Sequence, residues 1–104
     1  MDCDEAARLL EGGEAVAVDV REPREWDAGH LPGSLHIPMR ELARRRDELP
    51  ARTTIVAVCR TGNRSGVVTR ALRDAGYEAE NLEGGLKAWV RLGLPLDPPG
   101  GRVV

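Results

Sequence analysis

Residues 59–65 read Cys-Arg-Thr-Gly-Asn-Arg-Ser, and these types at this spacing suit a reactive thiolate in an anion cradle. A loop that feeds a helix N-terminus turns several backbone N–H groups toward its centre. The aligned peptide dipoles add partial positive charge there. Gly62 permits a backbone conformation that residues with a Cβ resist. Arg60 and Arg64 add two full charges. A thiol in that setting is expected to ionise below its free value of about 8.5, and its thiolate needs no histidine to act as a nucleophile. A cysteine that merely fills space at a strand end is the commoner case. Such a residue has no use for the flanking Arg, Gly and Arg.

A second polar group stands at Asp19 and Arg21. A base would be redundant beside a thiolate already formed. The Asp19 carboxylate is therefore expected to accept hydrogen bonds from nearby backbone or Arg groups, because buried charges are paired. Arg21 is expected in the same network. Packing and surface roles suffice for Glu25 and Trp26. His30 reads as a hydrogen-bonded turn residue, and His36 has no distinctive context. Two cysteines and two histidines at scattered spacing give no zinc pattern, so no metal is expected. Cys3 could serve as a resolving thiol, but it has no cradle and reads better as an unpaired residue on the first helix. Arg44-Arg45-Arg46 lies among Glu41, Asp47 and Glu48, which suits a solvated helix face better than a nucleic-acid site.

The elements that must position these residues alternate between helix and strand. Asp2 and Glu5 form a capping-box pair ahead of Ala6, Leu9 and Leu10, and Gly12-Gly13 stop that helix. Residues 15–20 read as a buried strand. Pro23 begins a short helix. Residues 34–37 form a short strand, and Met39, Leu42, Ala43 and Leu49 predict a helix ending near Pro50. Residues 53–58 are the clearest strand, β-branched and apolar. The polar loop 59–64 follows. Val67, Val68, Ala71, Leu72 and Ala75 then mark an amphipathic helix closed by Gly76. Residues 77–82 predict a last strand. Gly84-Gly85 turn into a final helix with Leu86, Trp89 and Val90, Trp89 being core. Strands separated by helices predict an α/β fold in three layers, a mainly parallel central sheet with helices on both faces. Ligands of such sheets bind beyond the carboxyl ends of the strands, where Asp19–Arg21 and Cys59–Arg64 both fall.

Four segments in this order resemble the rhodanese-like domain family, which includes single-domain thiosulfate sulfurtransferases. They are Val18 to Trp26, Gly29 to Pro38, Val58 to Ser65 and Leu82 to Trp89. The resemblance covers roughly residues 14–96. It implies a rhodanese-like fold and sulfur transfer at Cys59, with Arg60, Thr61, Gly62, Asn63 and Arg64 as the anion-binding loop and Asp19 and Arg21 in support. The Cys59 thiolate would take the sulfane sulfur of thiosulfate or a related persulfide donor and pass it to cyanide or a thiol, in a ping-pong sequence. Arg60 is expected to steer donors and Arg64 to brace the loop. No cofactor is implied. The partners are a small anionic sulfur donor and a thiol or thioredoxin-like acceptor. A non-catalytic or regulatory binding domain is one alternative. A cysteine-dependent phosphatase or arsenate reductase is another, but phosphatase loops place five residues between cysteine and arginine, and here there are four.

The chain of 104 residues suits a single domain over its whole length, with an irregular tail at 95–104 rich in Pro and Gly. Its net charge of -2 argues against a generally basic nucleic-acid binder. No apolar run reaches the ~18–20 residues of a membrane span. The acidic N-terminus lacks a secretory pattern, and two cysteines are too few for a disulfide scaffold. These features lead to the expectation of a cytoplasmic protein, and nothing in them demands more than a monomer.

Overall fold

Residues 15–20 and 54–59 alternate their side chains between two buried faces, and that alternation organises the structure. We describe residues 1–104 in a computed structural model. The element order is α1 (Cys3–Glu11), β1 (Ala15–Asp19), α2 (Pro23–Ala28), β2 (Leu35–His36), β3 (Thr54–Val58), α3 (Asn63–Asp74), β4 (Ala79–Asn81) and α4 (Gly85–Arg91). The four strands form one parallel sheet in the order β2-β1-β3-β4. A strand buried on both faces must be apolar throughout rather than alternately polar, which is why β1 and β3 read as continuous Val, Ile and Ala runs.

Each face carries its own core. Ala15, Ala17, Val56 and Val58 point to one side and pack with Cys3, Ala6, Leu82, Leu86 and Trp89. Val18, Val20, Ile55, Ala57 and Cys59 point to the other and pack with Val68 and Leu72 of α3. The three-layer parallel arrangement thus agrees with the expectation. Cys59 continues the alternation of β3, so its side chain faces α3.

The local signals act largely as their chemistry dictates. Asp2 caps α1 by accepting from the Glu5 N–H at 2.8 Å. Pro23 occupies the first turn of α2, where its missing N–H is not needed. The stretch from Met39 to Leu49 is a correction. It forms no α-helix but two 3-10 turns, Met39–Glu41 and Arg46–Glu48. Met39 and Leu42 anchor one turn, and the next buried apolar residue is Leu49. A helix there would have almost no apolar stripe to bury. Residues 95–104 form no helix or strand, yet they are tied down by paired backbone hydrogen bonds between His30 and Asp97 at 3.0 and 2.8 Å. No helix is long and apolar enough to cross a membrane.

Candidate functional site

The strand order reverses direction between β1 and β3, since the chain leaves β1 for one side and returns to its other side as β3. Crevices at such a point open beyond the carboxyl ends of the strands. Asp19 and Val58 are register partners at that edge, so Arg21 and Cys59 follow on adjacent strands.

Cys59 lies at the floor of the loop and is only 1% exposed. Its Sγ accepts from the Gly62 N–H at 3.1 Å, the Ser65 N–H at 3.3 Å and the Ser65 hydroxyl at 3.2 Å. Burial alone pushes the thiol up. The Ser65 hydroxyl and the amides of Ser65, Gly62 and Thr61 outweigh it, so the pKa lies below the ordinary thiol value. The local backbone makes this possible. Gly62 has φ +99°, a left-handed conformation that glycine adopts without strain, and it turns the chain straight into α3. Helix α3 therefore starts earlier than its apolar stripe suggests. Asn63 and Arg64, read as loop, form its first turn, and that turn is polar because it faces the cradle rather than the core.

The two loop arginines have different surroundings. Arg64 is clamped by Glu25 of α2 through two parallel bonds of 2.8 Å, Nη1 to Oε1 and Nη2 to Oε2. The Arg64 hydrogen bond holds the Glu25 carboxyl down at about 2, despite burial. Arg60 is half-exposed, and its guanidinium pairs with no carboxylate. Thr61 and Asn63 are exposed at the rim.

Asp19 and Arg21 are fully buried and grip one another, with Arg21 Nη2 at 2.8 Å from Asp19 Oδ2 and Nε at 3.0 Å from Oδ1. Arg21 Nη2 also donates to the Gly29 carbonyl at 2.8 Å. Neither side chain hydrogen-bonds the Cys59 loop. Trp26 stacks between His30 and His36, with ring centroids 3.5 and 4.6 Å away. The His36 Nε2–H donates to the Arg21 carbonyl at 2.8 Å and the His30 Nδ1–H to the Trp26 carbonyl at 3.0 Å. No group of three or more His, Cys, Asp or Glu side chains is placed to hold a metal ion. Cys3 is buried at the far face, and burial followed by Asp2, Asp4 and Glu83 raises its pKa.

Three parts of the site escape a reading by local spacing. Glu25 is not a mere packing residue, because its carboxylate holds Arg64 from 39 positions away. Gly84-Gly85 do more than turn the chain. A Cβ on Gly85 would stand 2.5 Å from the Arg60 carbonyl oxygen, so only glycine lets α4 approach the loop. The amides of Leu86 and Lys87 then donate to the carbonyls of Cys59 and Arg60 at 2.9 and 3.0 Å. Asn81, at the end of β4, donates from Nδ2 to the Gly62 carbonyl at 3.0 Å and lies 2.6 Å from the Ser65 hydroxyl. A polar residue closing a strand whose end meets the site is the one signal in the sequence that points to it.

A parallel α/β sheet whose central strand ends in a buried cysteine, its sulfur held by loop amides and a hydroxyl, defines a class of α/β domains built around a cysteine loop. Residues 2–92 match the rhodanese-like domain family, and the chain belongs to it. It is similar to a sulfurtransferase of Allochromatium vinosum, with 38% identity over 95 residues that cover 90% of this chain and 89% of the relative. It is also similar to an HTH-type transcriptional regulator of Mycobacterium tuberculosis, with 43% identity over 95 residues. That match covers 89% of this chain and 42% of the regulator, so the chain spans less than half of that protein's length. Among solved structures, a thiosulfate sulfurtransferase from Pseudomonas aeruginosa superposes with a TM-score of 0.84 at 30% identity, covering 98% of this chain and 20% of that one.

Proposed function

We propose that this protein is a sulfurtransferase that carries a sulfane sulfur on Cys59. The observation that carries the reading is the set of three donors, Gly62 N–H, Ser65 N–H and Ser65 O–H, converging on one buried sulfur. Such a cradle lowers the thiol's pKa and so raises the fraction present as the nucleophilic thiolate. The Cys59 thiolate attacks the outer sulfur of an anionic donor such as thiosulfate. A new S–S bond forms, the donor's own S–S bond breaks, and sulfite departs with the bonding pair. The negative charge now rests on the outer sulfur of a Cys59 persulfide, near the loop amides and the Arg60 and Arg64 charges. A second nucleophile, cyanide or a thiolate, takes that sulfur and returns the electron pair to Cys59.

The roles within the loop follow from its contacts. Arg60 is free of carboxylate partners and faces the approach of dianionic donors. Arg64 is held by Glu25 and fixes the first turn of α3. The acceptor is a small thiol or a thiol-bearing protein. The similarity to part of a transcriptional regulator favours a second reading, in which persulfide formation on this domain is a signal rather than a turnover step.

Mass spectrometry after incubation with thiosulfate is expected to show one added sulfur on Cys59, discharged by cyanide as thiocyanate. Cys59→Ser should abolish both events, and Cys3→Ser should leave them. A Cys59→Ser protein that still makes thiocyanate would overturn the assignment. Loading without catalytic discharge to cyanide or small thiols would favour the signalling reading.

A further inference from the structure

Ser65 sits fully buried between two acceptors and has a single hydroxyl hydrogen to offer. Its Oγ is 3.2 Å from Cys59 Sγ and 2.6 Å from Asn81 Oδ1. The orientation of the Asn81 amide is settled by its other contact. The Gly62 carbonyl, 3.0 Å away, can only accept, so it takes the amide N–H and leaves Oδ1 facing Ser65. Oδ1 can only accept as well. The shorter of the two Ser65 contacts therefore claims the hydrogen when Cys59 is a neutral thiol, whose S–H can donate to the Ser65 lone pair. When Cys59 ionises, the thiolate and Asn81 Oδ1 compete for that one hydrogen, and the hydroxyl is shared between them.

We propose that Asn81 is a positioning residue that acts through Ser65, competing with the Cys59 thiolate for the Ser65 hydroxyl hydrogen and so setting the basicity of the nucleophile. This inference rests on the reading of Cys59 as the sulfur carrier. Its chemical sense lies in the balance of nucleophile strength. A thiolate with every donor aimed at it is abundant but sluggish, because nucleophilicity falls as pKa falls. Diverting one hydrogen to Asn81 keeps the sulfur more basic and more reactive. Once the persulfide forms, the charge moves to the outer sulfur and Sγ becomes a poor acceptor. The Ser65 hydroxyl then returns to Asn81. No proton leaves Ser65 at any stage; the O–H bond only rotates.

The charged groups around Cys59 are few. They are Arg60 in the loop, Arg64 and Arg70 on α3 with Glu25 of α2 behind Arg64, the Asp19–Arg21 pair at the end of β1, exposed Lys87 on α4, and the Met1 ammonium, which donates to the Asn81 carbonyl. None of these side chains hydrogen-bonds Ser65 or the Asn81 side chain. A change at Asn81 therefore reaches the sulfur through the hydroxyl and through the Gly62 carbonyl, and the two routes have opposite signs. Freeing the hydroxyl lowers the Cys59 pKa, while slackening the loop raises it.

The test is the pH dependence of Cys59 alkylation by iodoacetamide in a Cys3→Ser background, where Cys59 is the sole thiol. Asn81→Leu is expected to shift the apparent pKa down by about half a unit or more. The rate constant of the fully ionised thiolate should fall as the pKa falls. In a Ser65→Ala background the same substitution should produce no downward shift. An Asn81→Leu pKa that is unchanged or raised, or a downward shift that persists without the Ser65 hydroxyl, would overturn the proposal. Asn81→Ala, which adds no bulk, reads the same quantity should the leucine variant fail to fold. Alkylation does not depend on sulfur transfer. A protein that shows the shift yet never takes sulfur from thiosulfate would refute the proposed function and leave the role of Asn81 standing.

Discussion

The Glu25–Arg64 pair shows how one contact serves both site and fold. Glu25 is buried, and its carboxylate also accepts from the Glu22 N–H at 3.0 Å, closing the capping box of α2. Its pKa is lowered from 4.5 to about 2, chiefly by the Arg64 hydrogen bond. A carboxyl depressed on folding contributes stability that is full above its unfolded pKa and is lost as pH falls through the folded one. Glu25→Gln is therefore expected to cost about 1–2 kcal/mol at neutral pH, the range for a charge-assisted pair of which one member is partly exposed. Urea titrations from pH 7 to pH 2 should show that cost undiminished above pH 4.5 and vanishing by about pH 2. A gap that stays constant across this window would mean that the ion pair is not what Glu25 provides. This residue also marks the limit of what the sequence reveals at the site. Cys59, Gly62, Arg60 and Arg64 lie within six positions, so their spacing alone suggests a cradle. Glu25 and Asn81 meet that loop from 39 and 19 positions away, and beyond the polar residue that closes β4 no local pattern encodes such meetings.

At the scale of elements, the loop is held between two helices that have different tasks. Helix α3 supplies amides to the sulfur, and α4 supplies amides to the loop carbonyls. Close approach of α4 depends on Gly85, which has φ +61° and no room for a Cβ against Arg60 and Thr61. Gly85→Ala is expected to push the loop outward and misplace Sγ. Misplacement on the order of 1 Å can cost about a hundredfold in rate, so a loss of at least about tenfold in kcat/KM is expected in a thiosulfate–cyanide assay. The Cys59 pKa should rise with it as the amide bonds lengthen. Retention of activity within twofold would show that the loop keeps its shape without α4. Most elements were legible because a doubly buried strand must be apolar and a helix beside it must carry a stripe. The segment 39–49 was not, because four apolar residues at helical spacing suggest a helix while only two of them fall in one turn against the core.

At the scale of the whole molecule, the segment after α4 packs back against α4 and the end of α2. The Trp89 Nε1–H donates to the Pro95 carbonyl at 2.7 Å, and the Arg102 N–H donates to the Ala28 carbonyl at 2.8 Å. His30 and Asp97 exchange two backbone bonds, and Leu94, Leu96 and Val103 pack on the core that contains Trp89. The tail thus joins the end of α2 to α4, the two helices that contact the loop through Glu25 and through the amides of Leu86 and Lys87. Its contacts fall on Ala28, His30 and Trp89, whereas the donors to Sγ lie on Gly62 and Ser65. Removing residues 95–104 should therefore separate stability from chemistry. The lost hydrogen bonds and apolar burial are expected to cost on the order of 2–3 kcal/mol. In a domain of this size that lowers Tm by about 10–20 °C. At a temperature where the shortened chain is still folded, kcat/KM for thiosulfate should stay within about twofold of the full chain, because local unfolding begins at the tail and not at the cradle. A Tm lowered by only a few degrees would mean the tail contacts contribute little. A large fall in kcat/KM by a folded, shortened protein would mean that α4 transmits the loss at Trp89 to the carbonyls of Cys59 and Arg60.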